Sequence, residues 1–168
     1  MSHIKKNLFY FILTILITSC GFHLRGFDGE YKLPYKHIYV ICNGVNICND
    51  FSQTIIRENL STIVHSKESA DAIISFSDQI SNKTADSYSS VGRISSFNLS
   101  YSTDVTILKP TTMQVINAFN ASANTSMHYN DGLILSMEQE ETSIRTQLRQ
   151  RVANQIITKI IHINKNAN

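Results

Sequence analysis

The sequence predicts an α+β two-layer sandwich: a four-stranded, mainly antiparallel sheet with two helices packed on one face. Three observations predict it. Phe97, Leu99, Tyr101, Thr103, Val105 and Ile107 alternate with Asn98, Ser100, Ser102, Asp104 and Thr106. That is the period of a strand with one face on a core and the other toward a polar environment. Apolar residues recur at spacings of three and four within residues 51–64 and 144–163, the signature of two amphipathic helices. The resulting order (strand, helix, three strands, helix) puts helices against a largely antiparallel sheet. No internal repeat is present.

The chain opens with a segment that is not part of this domain. Lys5 and Lys6 precede an uncharged apolar run over residues 8–17, followed by Thr18, Ser19 and Cys20. This is the layout of a secretory signal peptide. The run is shorter than the ~20 apolar residues that cross a bilayer. Ile17-Thr18-Ser19-Cys20 reads as a lipobox, which makes residues 1–19 a lipoprotein signal peptide and Cys20 the lipid-bearing first residue of the mature chain. Each buried methylene of an attached acyl chain contributes about 0.8 kcal/mol, so several chains anchor firmly. Gly21 follows the cysteine, where aspartate signals inner-membrane retention in some systems. Export to the outer membrane, facing the periplasm, is therefore expected.

Removing residues 1–19 changes the charge. The chain carries 15 basic and 13 acidic side chains. The excess is Lys5 and Lys6, so the mature chain is formally neutral. Nothing in that balance points to nucleic acid or to an anionic membrane surface.

Residues 20–35 carry Gly26, Gly29 and Pro34 without periodicity and read as a lipidated N-terminus and tether. A single domain is expected over residues 36–164. His37-Ile38-Tyr39-Val40-Ile41-Cys42 is β-branched and aromatic, hence a strand, and Asn43-Gly44 breaks it. Asp50 is placed as the N-cap of the first helix, with Gln53 at the capping-box position. Phe51, Ile55, Ile56, Leu60, Ile63 and Val64 form its apolar face over about 15 residues. Ala72, Ile74 and Phe76 then alternate with Ile73, Ser75 and Ser77. The Ser-rich stretch within residues 83–96 is a hairpin tip or a weakly packed edge. Lys109-Pro110-Thr111-Thr112 is a turn, and Val115, Phe119, Ala121, Ala123, Thr125 and Met127 continue an antiparallel hairpin.

The last helix is expected over residues 137–163. Ser136 and Gln139 make a capping box. Glu138, Glu140 and Glu141 near its start, and Arg149, Arg151, Lys159 and Lys165 toward its end, suit the helix dipole. Ile144, Leu148, Val152, Ile156 and Ile160 form its apolar row, widened by Ile157, Ile161 and Ile163. The charges read either as a partner-binding patch or, more simply, as a solvated helix surface.

Cys42 and Cys48 lie six residues apart in a compartment that permits disulfides. Either they bridge a strand end to a helix start, with an effect of about 2 kcal/mol for so short a loop, or they remain two buried thiols.

No catalytic residues are identified. His3, His23, His37, His65, His128 and His162 show no metal-ligand spacing with one another, with Cys or with carboxylates. The sequence has no nucleophile elbow, P-loop or dinucleotide fingerprint. The expectation is a non-enzymatic protein with no metal and no cofactor. Asn59, Asn82, Asn98, Asn120 and Asn124 open N-x-[ST] sequons, which follow from an Asn- and Ser-rich composition in a bacterial lipoprotein.

Cys20-Gly21-Phe22-His23-Leu24-Arg25 resembles the mature start of the LptE family of lipopolysaccharide-assembly lipoproteins. The layout behind it is similar too, and residues 97–110 resemble that family's third strand with its proline turn. The resemblance implies a non-enzymatic outer-membrane lipoprotein that inserts into and plugs the β-barrel translocon LptD, assists its assembly and contacts lipopolysaccharide. It also implies a basic residue near the tip between the second and third strands, where this chain has Arg93. A guanidinium suits phosphate through paired, charge-assisted hydrogen bonds. The family's second basic position, before the final helix, is occupied here by Ser136-Met137-Glu138. The alternative is a periplasm-facing outer-membrane lipoprotein that acts as a different envelope- or ligand-binding module.

Overall fold

A computed structural model describes residues 32–165. The signal segment, Cys20 and the tether up to residue 31 lie outside the described residues. From Lys32 onward the order is β1 (His37–Cys42), α1 (Ile47–Arg57), β2 (Thr62–Ile63), β3 (Ala72–Tyr88), β4 (Ile94–Leu108), β5 (Val115–His128) and α2 (Ile134–Lys165).

The sheet has five strands in the order β2-β1-β3-β4-β5, not four. It is mixed: β1 runs parallel to β2 and to β3, while β3, β4 and β5 are antiparallel neighbours. The extra strand arises where the sequence reading extended the first helix. That helix ends at Arg57, because Asn59 turns into the left-handed region at φ 51°. Asparagine is among the few non-glycine residues that enter this region readily. Leu60 then donates its N–H to Ile55 O at 3.1 Å and buries its side chain. The β-branched Thr62, Ile63 and Val64 go on to pair with β1, with Thr62 and Val64 donating to Lys36 O and Ile38 O at 2.9 Å. Because α1 lies between β1 and β2, the returning strand runs in the same direction as β1.

Both helix starts also differ from the expectation. Asn46, not Asp50, occupies the cap position of α1, and its side chain makes no capping bond. Its backbone N–H donates instead to Gln79 Oε1 at 2.9 Å. The second helix begins three residues before Met137. Asn130 accepts from the Gly132 N–H at 2.9 Å and starts a short 3-10 turn, Asp131–Leu133, that runs into α2. Ser136 thus lies inside the helix and donates to Leu133 O at 3.1 Å.

The core lies between one sheet face and the two helices. Leu99, Tyr101, Thr103, Val105 and Ile107 are all buried, as the alternation in β4 requires. Leu148, Val152, Ala153, Ile156 and Ile160 of α2, which packs against β4, are buried too. Phe51 of α1 packs edge-on against Phe76 of β3 with centroids 5.2 Å apart. Ile73, on the opposite face from Ala72 and Ile74, is buried as well, opposite Tyr39 and Leu108 in the register. Cys42 and Cys48 are joined as a disulfide with Cα atoms 5.6 Å apart, inside the usual range. It links the end of β1 to the first turn of α1.

Candidate partner surface and ligand-contact site

The helices cover one face of the β3-β4-β5 sheet, and the other face is polar. It carries Ser75, Ser77, Asn82 and Thr84 from β3, and Asn98, Ser100, Ser102, Asp104 and Thr106 from β4. Asn120, Ser122, Asn124 and Ser126 come from β5, each placed by strand register. Two carboxylates, Asp104 and Asp86, stand on this face with the exposed Ile80, and Asn120 Nδ2 donates to Asp104 at 2.8 Å. Such side chains satisfy their hydrogen bonds with water or with another polar surface equally well.

Toward the hairpin end the polar face becomes a bonded network. Ser96, itself buried, and Ser126 both donate to Asp86 Oδ2 at 3.1 Å, across three strands. Ser87 Oγ lies 2.7 Å from the hydroxyls of both Ser95 and Ser96. This network stiffens the hairpin below its tip.

The tip is residues 89–93. Ser89 N–H donates to Arg93 O at 2.7 Å, and Gly92 N–H to Ser89 O at 2.9 Å. Gly92 sits at φ 76°, where only glycine is unstrained. Arg93 therefore leaves a closed turn with its side chain 76% exposed. Its Nη1 lies 3.9 Å from Asp131 Oδ2, a long contact between two exposed groups. Such a pair contributes little and leaves most guanidinium donors available to an anionic ligand. No lysine or arginine occurs over residues 129–144, so the start of α2 adds no second base.

The charges on α2 divide. Glu141 binds Lys83 of β3 at 2.6 Å and Arg145 at 2.7 Å. The Lys83 hydrogen bond and then the Arg145 bond hold its carboxyl below the ordinary range, against the opposing effect of burial. Arg145 also reaches Ser81 of β3. Arg149 Nε binds Asp50 Oδ2 of α1 at 2.9 Å, with both side chains about three-quarters buried. Beside them the buried Tyr101 hydroxyl is pushed up to about 12, chiefly by burial; Arg149 opposes the shift and Asp50 adds to it. Lys159 Nζ bonds Asn120 O of the edge strand β5 at 2.7 Å. The helix charges thus mainly tie α2 to the sheet and to α1, which is neither a partner patch nor a solvated surface. Arg151, exposed, rims a polar hollow with Gln155, Asn120 and Ser122.

Among the described residues no group of three His, Cys, Asp or Glu side chains is placed to hold a metal. His37 is spent locally, with Nδ1 3.4 Å from the Asp71 carboxylate. Not foreseen from the sequence are the exposed apolar side chains of Tyr88 and Val91 at the β3-β4 tip and of Leu133-Ile134-Leu135 where α2 begins. The three consecutive apolar residues ahead of the periodic row of α2 were their only signal.

A family model described as LptE, lipopolysaccharide-assembly, matches residues 35–160, which is nearly all of the described chain. The chain belongs to the LptE lipopolysaccharide-assembly family. Solved structures share the fold. A lipoprotein B from Nitrosomonas europaea is 21% identical, with a TM-score of 0.74 over 86% of this chain and 93% of that one. The rare lipoprotein B of Shewanella oneidensis is 10% identical, with a TM-score of 0.66 over 78% and 98% of the two chains. A minor lipoprotein of Acinetobacter baumannii is 13% identical, with a TM-score of 0.64 over 79% and 95%. No curated protein sequence matches the chain. In this LptE-family domain the Arg93 side chain and the polar sheet face are left uncovered by the two helices.

Proposed function

We propose that this protein is a non-enzymatic lipoprotein, lipidated at Cys20 and anchored to the outer membrane. In this reading it seats in the LptD-type β-barrel translocon and plugs it during lipopolysaccharide transport and assembly. The match of residues 35–160 to the LptE family carries the proposal, and the uncovered sheet face gives it a physical basis. The lumen of a large outer-membrane barrel is polar, and a Ser/Thr/Asn-rich face with its carboxylates Asp86 and Asp104 held in hydrogen bonds suits such a wall. Arg93, at the exposed tip, is the residue proposed to contact lipopolysaccharide phosphate. Among the described residues no helix is long and apolar enough to cross a membrane; the lipobox reading of residues 17–20 is what assigns attachment to lipid on Cys20.

The test is site-specific crosslinking in cells. A photoreactive residue at Ser102 or Asn124, on the polar face, is expected to capture a large β-barrel protein. The same residue at exposed Arg57, on the helix layer, is expected to capture less. Equal capture from both positions, or none from either, removes the proposal. Replacing Cys20 with alanine is expected to abolish membrane attachment; a processed, unlipidated form that stays on the membrane contradicts the anchor.

A further inference from the structure

Among the described residues the sheet is open along β2, along β3 beyond its pairing with β1, and along β5. The first two edges are guarded. β2 is only 2 residues long. β3 pairs with β1 over Ala72–Phe76 alone, and its open continuation is broken by register shifts between Ser77 and Ile80, Ala85 and Ser87, and Ser87 and Tyr88. Asp78 sits there at φ 50°, and Lys83 and Asp86 add charge to the same stretch. Short length, bulges and charge are the usual devices that keep an edge from pairing with another chain. The β5 edge has none of them. Val115–His128 contains no Asp, Glu, Lys, Arg, Pro or Gly, and its register with β4 runs without a shift from Asn117 to His128.

The register also gives the direction of the backbone groups. Tyr129 N–H donates to Ser95 O at 2.9 Å, which continues the Ser96↔His128 register by one pair. Bonded and non-bonded pairs alternate in an antiparallel ladder. Met127, Thr125, Ala123, Ala121 and Phe119 therefore bond to β4, while the N–H and C=O groups of Ala118, Asn120, Ser122, Asn124, Ser126 and His128 point away from it. These outward residues are all exposed. Among the described residues one of their backbone groups has a partner outside the ladder: Asn120 O accepts from Lys159 Nζ at 2.7 Å.

A row of outward N–H and C=O groups is completed by an extended polypeptide that adds as a further strand. Charge narrows what that strand carries. Lys159 of α2 flanks the edge, with Nζ also 5.1 Å from the Phe119 ring centroid. Arg151 shares a hollow with Asn120, Ser122, Asn124 and Gln155. Both cations are exposed, and no carboxylate lies on β5 or between them on α2. Side chains of an added strand opposite Ala121 and Ala123 would stand on the α2 side of the sheet, where these cations are. A second copy pairing β5 with β5 would supply no carboxylate and would bring two sets of Arg151 and Lys159 to one seam, which like-charge repulsion disfavours.

We propose that the β5 edge is a strand-addition site for an extended, carboxylate-bearing segment of another protein. On binding, Lys159 yields Asn120 O to the incoming backbone N–H and turns to a carboxylate, and Arg151 takes another. The added strand widens the polar sheet face rather than covering it, so this site and the barrel reading fail separately.

The probe is a fluorescein-labelled peptide of alternating threonine and glutamate, titrated into the full-length lipidated protein in detergent. Two matched peptides separate its parts. One has its backbone nitrogens methylated, which keeps the charge and removes the pairing; the other carries lysine for glutamate. Saturable binding by anisotropy is expected, with slowed amide hydrogen exchange in the β5 segment. Methylation is expected to weaken binding about tenfold or more, since several backbone bonds are lost together. Ser122→Pro removes an outward N–H and leaves the ladder to β4 intact; it is expected to weaken binding about tenfold with the melting temperature unchanged. Arg151→Glu combined with Lys159→Glu is expected to reverse the preference between the glutamate and lysine peptides. Equal binding of the methylated or the lysine peptide overturns the proposal, as does absence of binding or of slowed exchange in β5. Dimerisation of the protein that Ser122→Pro abolishes assigns the edge to a second copy and overturns it too. Peptide binding without any barrel capture sustains the site and removes the barrel reading alone.

Discussion

Asp50→Asn separates two physical roles for one residue. As an N-cap, Asp50 would tolerate asparagine almost without cost, since both side chains accept from the first-turn N–H groups. In the structure it binds Arg149 at 2.9 Å, with side-chain exposures of 21% and 27% for Asp50 and Arg149. Fully exposed pairs contribute about 0.2–1 kcal/mol, and breaking a fully buried pair costs about 3–5 kcal/mol. At this intermediate burial, Asp50→Asn is expected to cost about 1.5 kcal/mol. For a domain of this size that corresponds to a drop in melting temperature of roughly 5 °C. The assay is chemical denaturation of wild type, Asp50→Asn, Arg149→Leu and the double variant. The cycle is expected to give a coupling of about 1 kcal/mol or more that weakens with salt. A loss below about 0.3 kcal/mol on Asp50→Asn, with no coupling to Arg149, refutes the ion-pair account and restores the cap.

Glu141 titrates below the ordinary carboxylate value of 4.5, so its contribution to stability is complete above that value and is lost as pH falls through the lower folded value. Glu141→Gln is expected to flatten that part of an acid-denaturation profile; an unchanged profile contradicts the Lys83–Glu141–Arg145 brace. Replacing Cys42 and Cys48 together with serine is expected to cost about 2 kcal/mol, measured by denaturation beside the reduced wild type. Non-reducing peptide mapping checks the bond directly. Arg93→Glu is expected to leave the melting temperature unchanged and to weaken binding of purified lipopolysaccharide about tenfold, the scale of one charge-assisted hydrogen-bond pair. Unchanged affinity removes Arg93 from the site.

Much of this domain was legible because its strongest signals are local. β1 occupies the six residues its β-branched composition indicated, and the buried face of β4 follows its alternation. The apolar row of α2 from Leu148 to Ile160 is the row that packs. What failed depended on backbone events that apolar spacing does not encode. Leu60, Ile63 and Val64 continue a helical spacing, yet Asn59 ends the helix before they are reached. With α1 shortened, Thr62 and Ile63 were free to add the fifth strand, and that changed the sheet from mainly antiparallel to mixed. Both capping boxes matched the right letters at positions inside the helices, because Asn46 and Asn130 begin the turns earlier. Arg93 was findable from the family resemblance and its Ser/Gly-rich surroundings. The exposed apolar residues nearby were not, because the β3-β4 tip and the approach to α2 adjoin, through Arg93 and Asp131, only when β3, β4 and β5 are aligned.

The central claim is the partnership with a barrel. Tagged full-length protein is purified from detergent-solubilised outer membrane under conditions that keep membrane complexes intact, and the bound proteins are identified by mass spectrometry. The expected result is a large β-barrel protein, present in comparable amount and lost when charged residues replace Ser102 and Asn124 on the polar face. Recovery of the lipoprotein alone contradicts it.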